Sequence, residues 1–156
     1  MAYQKLQTSK GINIFPSDNA NIPSANVVVS GTNSSVAVGF LVDATKDFIA
    51  ANVAVGDVVV NQSTGFSATV LKVFNATSIL INADIFTSPA DSYAIYSQSA
   101  NEGAVLYVGV TGDLRVITAG GQDVTFTGII GGTFIPVQVT KVFSTGTTAT
   151  NLVALW

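Results

Sequence analysis

Apolar positions in this chain come in short runs separated by turn-forming residues, and the pattern is clearest between Glu102 and Trp156. Ala104–Val110 is almost wholly apolar, and Leu114–Thr118 follows after Thr111-Gly112-Asp113. That tripeptide is expected to reverse the chain, with Gly adopting a positive φ and Asp bonding its own backbone. A second turn is expected at Ala119–Gln122. Asp123–Thr127 then alternates strictly, Val124 and Phe126 on one face and Asp123, Thr125 and Thr127 on the other, the period of a half-buried strand. Gly131-Gly132 interrupts, Phe134–Phe143 predicts the longest strand, and Asn151–Trp156 the last. Five strands at short spacing predict an antiparallel β-sandwich or jelly roll.

The earlier part of the chain predicts two further pieces. Residues 1–35 read as an N-terminal arm, broken by Pro16 and Pro23, followed by the first strand of the sandwich at Asn26–Ser30. Residues 36–98 read as an inserted small β-barrel-like domain, with strands at Val36–Val42, Val58–Asn61, Ala68–Phe74, Ser78–Asn82 and Tyr93–Tyr96. The only helix candidate is Asp43–Asn52, capped by Asp43 or Thr45 and too short for more than one or two packed turns. Residues 99–156 supply the main part of the sandwich. The fold class expected is therefore all-β, a sandwich built from both ends of the chain around an insertion.

Composition sharpens the picture. Only 10% of the 156 residues are charged and 48% are hydrophobic, against roughly a quarter charged in a typical soluble domain. Mean hydropathy is +0.51, yet no apolar run approaches the ~18 residues of a membrane helix. Such a chain is expected to hide surface in an assembly. A net charge of −3, with five Lys and one Arg scattered, offers no basic stripe for phosphates, so neither nucleic acid nor membrane is an expected partner. The opening MAYQKLQT lacks the apolar core of a secretion signal.

The chemistry is sparse. Without His or Cys, the usual nucleophile pairs and zinc ligand sets are missing. Eight Asp and one Glu read as solvated carboxylates at turns, including Asp43 and Asp47 four apart; no cofactor or metal is expected. The Asn-X-Ser/Thr triplets at Asn33, Asn61 and Asn75 read as surface turns. Arg115 faces away from Leu114 and Val116 on its strand, free in solvent or paired with a carboxylate across a subunit contact. Both faces of the last strand are apolar, so one side needs external cover. Leu152, Val153, Leu155 and Trp156, with Phe15 on the arm, are the candidate assembly contacts.

The run LYVGVTGDLRVITAGGQDVTFTGI, continuing through GGTFIPVQVTKVFSTGTTATNLVALW, resembles β-rich virion proteins of tailed phages and gene-transfer agents, nearest the head-spike-base family. FPSD at Phe15–Asp18, followed by Ile22-Pro23, resembles that family's opening segment, and residues 36–98 resemble a small β module of other phage structural proteins. The resemblance implies a non-enzymatic structural protein assembled in the host cytoplasm into a virion. It would decorate the capsid or form the base of a head spike or fibre, as a homo-oligomer contacting the major capsid protein or another virion protein. The alternative reading is a neck or tail structural protein, or a receptor- or carbohydrate-binding tip module. A tip would use Phe86, Tyr93 and Tyr96 as its aromatic platform.

Overall fold

The structure, a computed structural model, describes residues 8–99 and 102–156; the first seven residues of the expected arm lie outside the described residues. It is all-β and antiparallel, with no helix among the described residues. The strands, in chain order, begin with β1 (Gly11–Ile14), β2 (Val27–Thr32), β3 (Ser35–Ala37), β4 (Phe40–Val42) and β5 (Val58–Asn61). Then come β6 (Ser67–Asn75), β7 (Ser78–Ile81), β8 (Ser92–Tyr96) and β9 (Ala104–Val110). The last four are β10 (Gly112–Thr118), β11 (Asp123–Ile129), β12 (Thr133–Val142) and β13 (Thr150–Leu155). Two sheets pack as a sandwich, a six-stranded one in the order β1-β13-β9-β12-β10-β11 and a seven-stranded one in the order β2-β8-β5-β6-β7-β4-β3.

The six-stranded sheet joins the arm to the C-terminal block, as β1 pairs with β13 from Gly11↔Leu155 to Ile14↔Leu152. Its inner face gathers Leu106, Val108, Leu114, Val116, Ile135, Val139 and Leu152 into one core. Strand β12 is shared: Thr133–Ile135 and Val139 pair with β9, and Val139–Val142 with β10. Pro136 sits in the register shift of the β9 pairing between Ile135 and Val139, where a residue lacking N–H costs no ladder bond. The hairpin at Ala119–Gln122 forms as expected, joining β10 to β11. The turn at Thr111–Asp113 does not. Strands β9 and β10 are separated by β12, so the chain runs on rather than folding back. Gly112 is required for another reason: a Cβ there would lie 2.7 Å from the Ala149 Cα.

The seven-stranded sheet has its own core of Leu41, Phe48, Val59, Val70, Ile79, Phe86, Tyr93 and Ile95. It is curled. Strands β8 and β4 stand four places apart, about 19 Å in a flat sheet, yet the Tyr93 hydroxyl donates to Asp43 Oδ2, just beyond β4, at 2.8 Å. No strand pairing joins β3 back to β2 among the described residues. The segment Asp43–Asn52 makes turns instead of the expected helix. The Asp47 carboxylate accepts from the Ile49 and Ala50 amides, and Asn52 takes a φ of 58°, which ends the turn before a helix can propagate.

Two expectations are corrected here. The strand near Asn26–Ser30 does not open the sandwich half built from the C-terminal block. As β2 it pairs with β8, Val29 opposite Ile95 and Gly31 opposite Tyr93, so the seven-stranded sheet takes in a strand that precedes residue 36. The Val-rich run alone cannot choose between two apolar sheets. The arm at residues 15–24, expected only as an N-terminal arm broken by Pro16 and Pro23, lies between the sheets. Ser17 and Ile22 donate their amides to Val142 and Thr140 on one side. On the other, the Ser17 hydroxyl donates to Ser67 O, and Thr69 and Asn82 donate to Asn19 O.

Candidate interaction surfaces

The five expected assembly contacts do not form one strip. Strand β13 is internal, held by β1 and β9, and its alternation splits them. Leu152 is buried in the chain's own core, and half-buried Trp156 packs against that core. Leu155 lies on the opposite face, its Cδ2 2.9 Å from where a Gly11 Cβ would stand. Val153 and Phe15 remain at an open surface, and the structure brings these two together.

They line a cleft of about 950 Å³, at the upper end of small-ligand clefts. Its floor is the outer face of the six-stranded sheet, where Asn13, Val153 and Tyr107 stand side by side in register. Phe134 continues that row on β12, its ring 5.3 Å from that of Tyr107. The β5–β6 hairpin makes the wall with Gly65 and Phe66, and Phe15 packs over Gly65, where a Cβ would come within 3.0 Å of the ring. Phe15 is 57% exposed and Phe66 65%. Its polar lining includes exposed Asn13, Thr150 and Asn151, the last with a φ of 55°, together with Thr64, Ser144 and Thr147. Among the described residues lining the cleft, none is acidic or basic.

A second apolar surface lies at the free end of the seven-stranded sheet. Strand β3 ends that sheet, and its hairpin tip carries Val38, 80% exposed, next to exposed Val36. The rings of Phe40 and Phe74 meet edge to face at 5.8 Å on the same part of the sheet. The tip is pinned: Gly39 N–H donates to Asp84 Oδ1 at 3.3 Å, and Ile81 N–H to Gly39 O at 2.9 Å.

The ionisable groups serve the frame. Asp43 is buried; burial pushes its carboxyl up, but hydrogen bonds from the Thr45 hydroxyl and amide and from Tyr93, with the Lys46 charge, hold it below its usual value. Burial, then the bond to Asp43, raises the Tyr93 phenol. Arg115 pairs with a carboxylate of its own chain. Its Nε and Nη2 grip Asp123 at 3.1 and 2.7 Å, and its guanidinium lies 4.4 Å over the Phe143 ring. Asp18 accepts from the Ser144 hydroxyl and from both hydroxyl and amide of Thr145. The Thr145 hydroxyl bond leads in holding its carboxyl down at about 2.

The proposed aromatic platform is dismantled. Phe86 and Tyr93 are fully buried, ring against ring at 6.2 Å. Asn33 and Asn61, read as surface turns, are buried too, and they tie loops together through Asp91. No three Asp or Glu side chains converge among the described residues, and no helix is long and apolar enough to cross a membrane. What fold and surfaces define is an all-β sandwich with a neutral aromatic cleft and an apolar sheet edge. No family model, curated protein or solved structure matches the chain.

Proposed function

We propose that this chain is a non-enzymatic structural subunit of a tailed-phage or gene-transfer-agent particle, decorating the capsid or forming the base of a head spike by symmetric assembly. The observation that carries the reading is the pair of apolar surfaces above, in a chain with only 10% charged residues. Large uncharged side chains left open at a sheet edge invite pairing with another chain. Two features support the resemblance. The motifs YVG and GDLRV lie in β9 and β10, AGG in the turn that joins β10 to β11, and VAL of VALW in β13, all parts of the six-stranded sheet or its hairpin. FPSD and TGTTAT, far apart in sequence, meet through Asp18 and Thr145.

The test is composition of purified particles. Density-gradient particles from cells carrying the gene should contain the chain at a fixed copy number per capsid, and cryo-EM density should accept the sandwich at a symmetry-related position. Recovery of the chain only in the particle-free fraction would sink the reading.

A further inference from the structure

We propose that the β3–β4 hairpin tip of one copy seats in the aromatic cleft of the next, Val38 inserting between Phe15 and Phe66. The inference rests on the self-assembly reading above and names the contact that performs it. The cleft asks for an uncharged, apolar, convex occupant, because no acidic or basic side chain lines it among the described residues and two Phe rings are more than half exposed. The chain carries such an occupant. No charged residue occurs between Asn19 and Val42, the Asp84 carboxylate that meets the tip is engaged by the Gly39 amide, and Val38 is the most exposed large apolar side chain among the described residues.

Rigidity and hydrogen bonding agree with this pairing. The bonds that Gly39 donates to Asp84 and accepts from Ile81 hold the tip in one shape, so little ordering entropy is lost on docking. The free edge of β3 presents backbone donors and acceptors. Asn13 and Asn151 in the cleft lining offer amides that both donate and accept. Since tip and cleft are different patches, the contact is head-to-tail, and it closes a ring or propagates as a filament according to its rotation.

The chain has no cysteine, so single-cysteine variants report contacts cleanly. Val38→Cys and Phe66→Cys, prepared separately and mixed under mild oxidation, should yield a disulfide-linked heterodimer, with little crosslinking of either alone. Val38→Glu should weaken self-association about 30-fold in sedimentation velocity, the loss of one central apolar anchor, with an unchanged circular dichroism spectrum. A wild-type chain that stays monomeric at high concentration overturns the assembly reading and this contact with it. A wild-type oligomer that resists Val38→Glu and forms no mixed disulfide overturns this contact alone. Crosslinking of Val38→Cys only to itself does the same, in favour of a two-fold pairing of β3 edges.

Discussion

Replacing Tyr93 with Phe removes one oxygen from the centre of the seven-stranded sheet, and its cost can be worked out from the structure. The hydroxyl is buried and donates at 2.8 Å to Asp43, itself buried. A hydrogen bond to a charged group is worth about 1.5–3 kcal/mol. The carboxylate keeps its two bonds from Thr45, so a loss of about 2 kcal/mol is expected, rather than the larger cost of an unpaired buried charge. For a chain of this size that is roughly 4–8 °C in melting temperature. Urea unfolding followed by far-UV circular dichroism measures it directly, with half-buried Tyr96→Phe as the control, expected to change stability by less than about 0.5 kcal/mol. Acid supplies an independent arm. Asp43 titrates below its ordinary 3.8 in the folded chain. Its contribution is therefore complete above about pH 4 and is lost as pH falls through the folded value. Tyr93→Phe, lacking one cause of that depression, should show a shallower acid loss. A substitution that costs under 0.5 kcal/mol and leaves the acid limb unchanged would refute the claim that this bond closes the curled sheet.

Three further outcomes follow from the same geometry. Asp18→Asn should flatten the change between about pH 4 and pH 2 seen by NMR at the Thr145 amide, because the wild-type carboxyl is held near 2 against an ordinary 3.8; its strap is complete above the higher value and released as pH approaches the lower. Gly112→Ala should cost about 1–3 kcal/mol by overpacking against the Ala149 backbone, seen as a lower urea midpoint. Trp156→Ala should lower the melting temperature without changing the sedimentation coefficient, since the indole packs on the chain's own core; loss of oligomer with unchanged melting would restore Trp156 to an interface.

Much of the secondary structure was legible because strands announce themselves locally. Alternation in Asp123–Thr127, the apolar run Ala104–Val110 and the Gly-rich turn at Ala119–Gln122 depend on neighbours one to three residues away, and each stands where the pattern placed it. The all-β class follows from the same kind of signal. Partnership is another matter. Hydrophobicity says that β2 must be covered but not by which sheet, and Val29 found Ile95. The apolar last strand needed cover on both faces, and the sequence could not say that Leu152 would find its own core while Val153 would floor a cleft. Arg115 was visible as a lone guanidinium, but Asp123 became its partner only when β10 paired with β11 in one register. The cleft itself had no sequence signature, since Phe15, Phe66 and Tyr107 come from three distant stretches. The chain encodes each strand's need for burial locally. Which surface meets that need is decided when two sheets and the arm between them compete for the same apolar area.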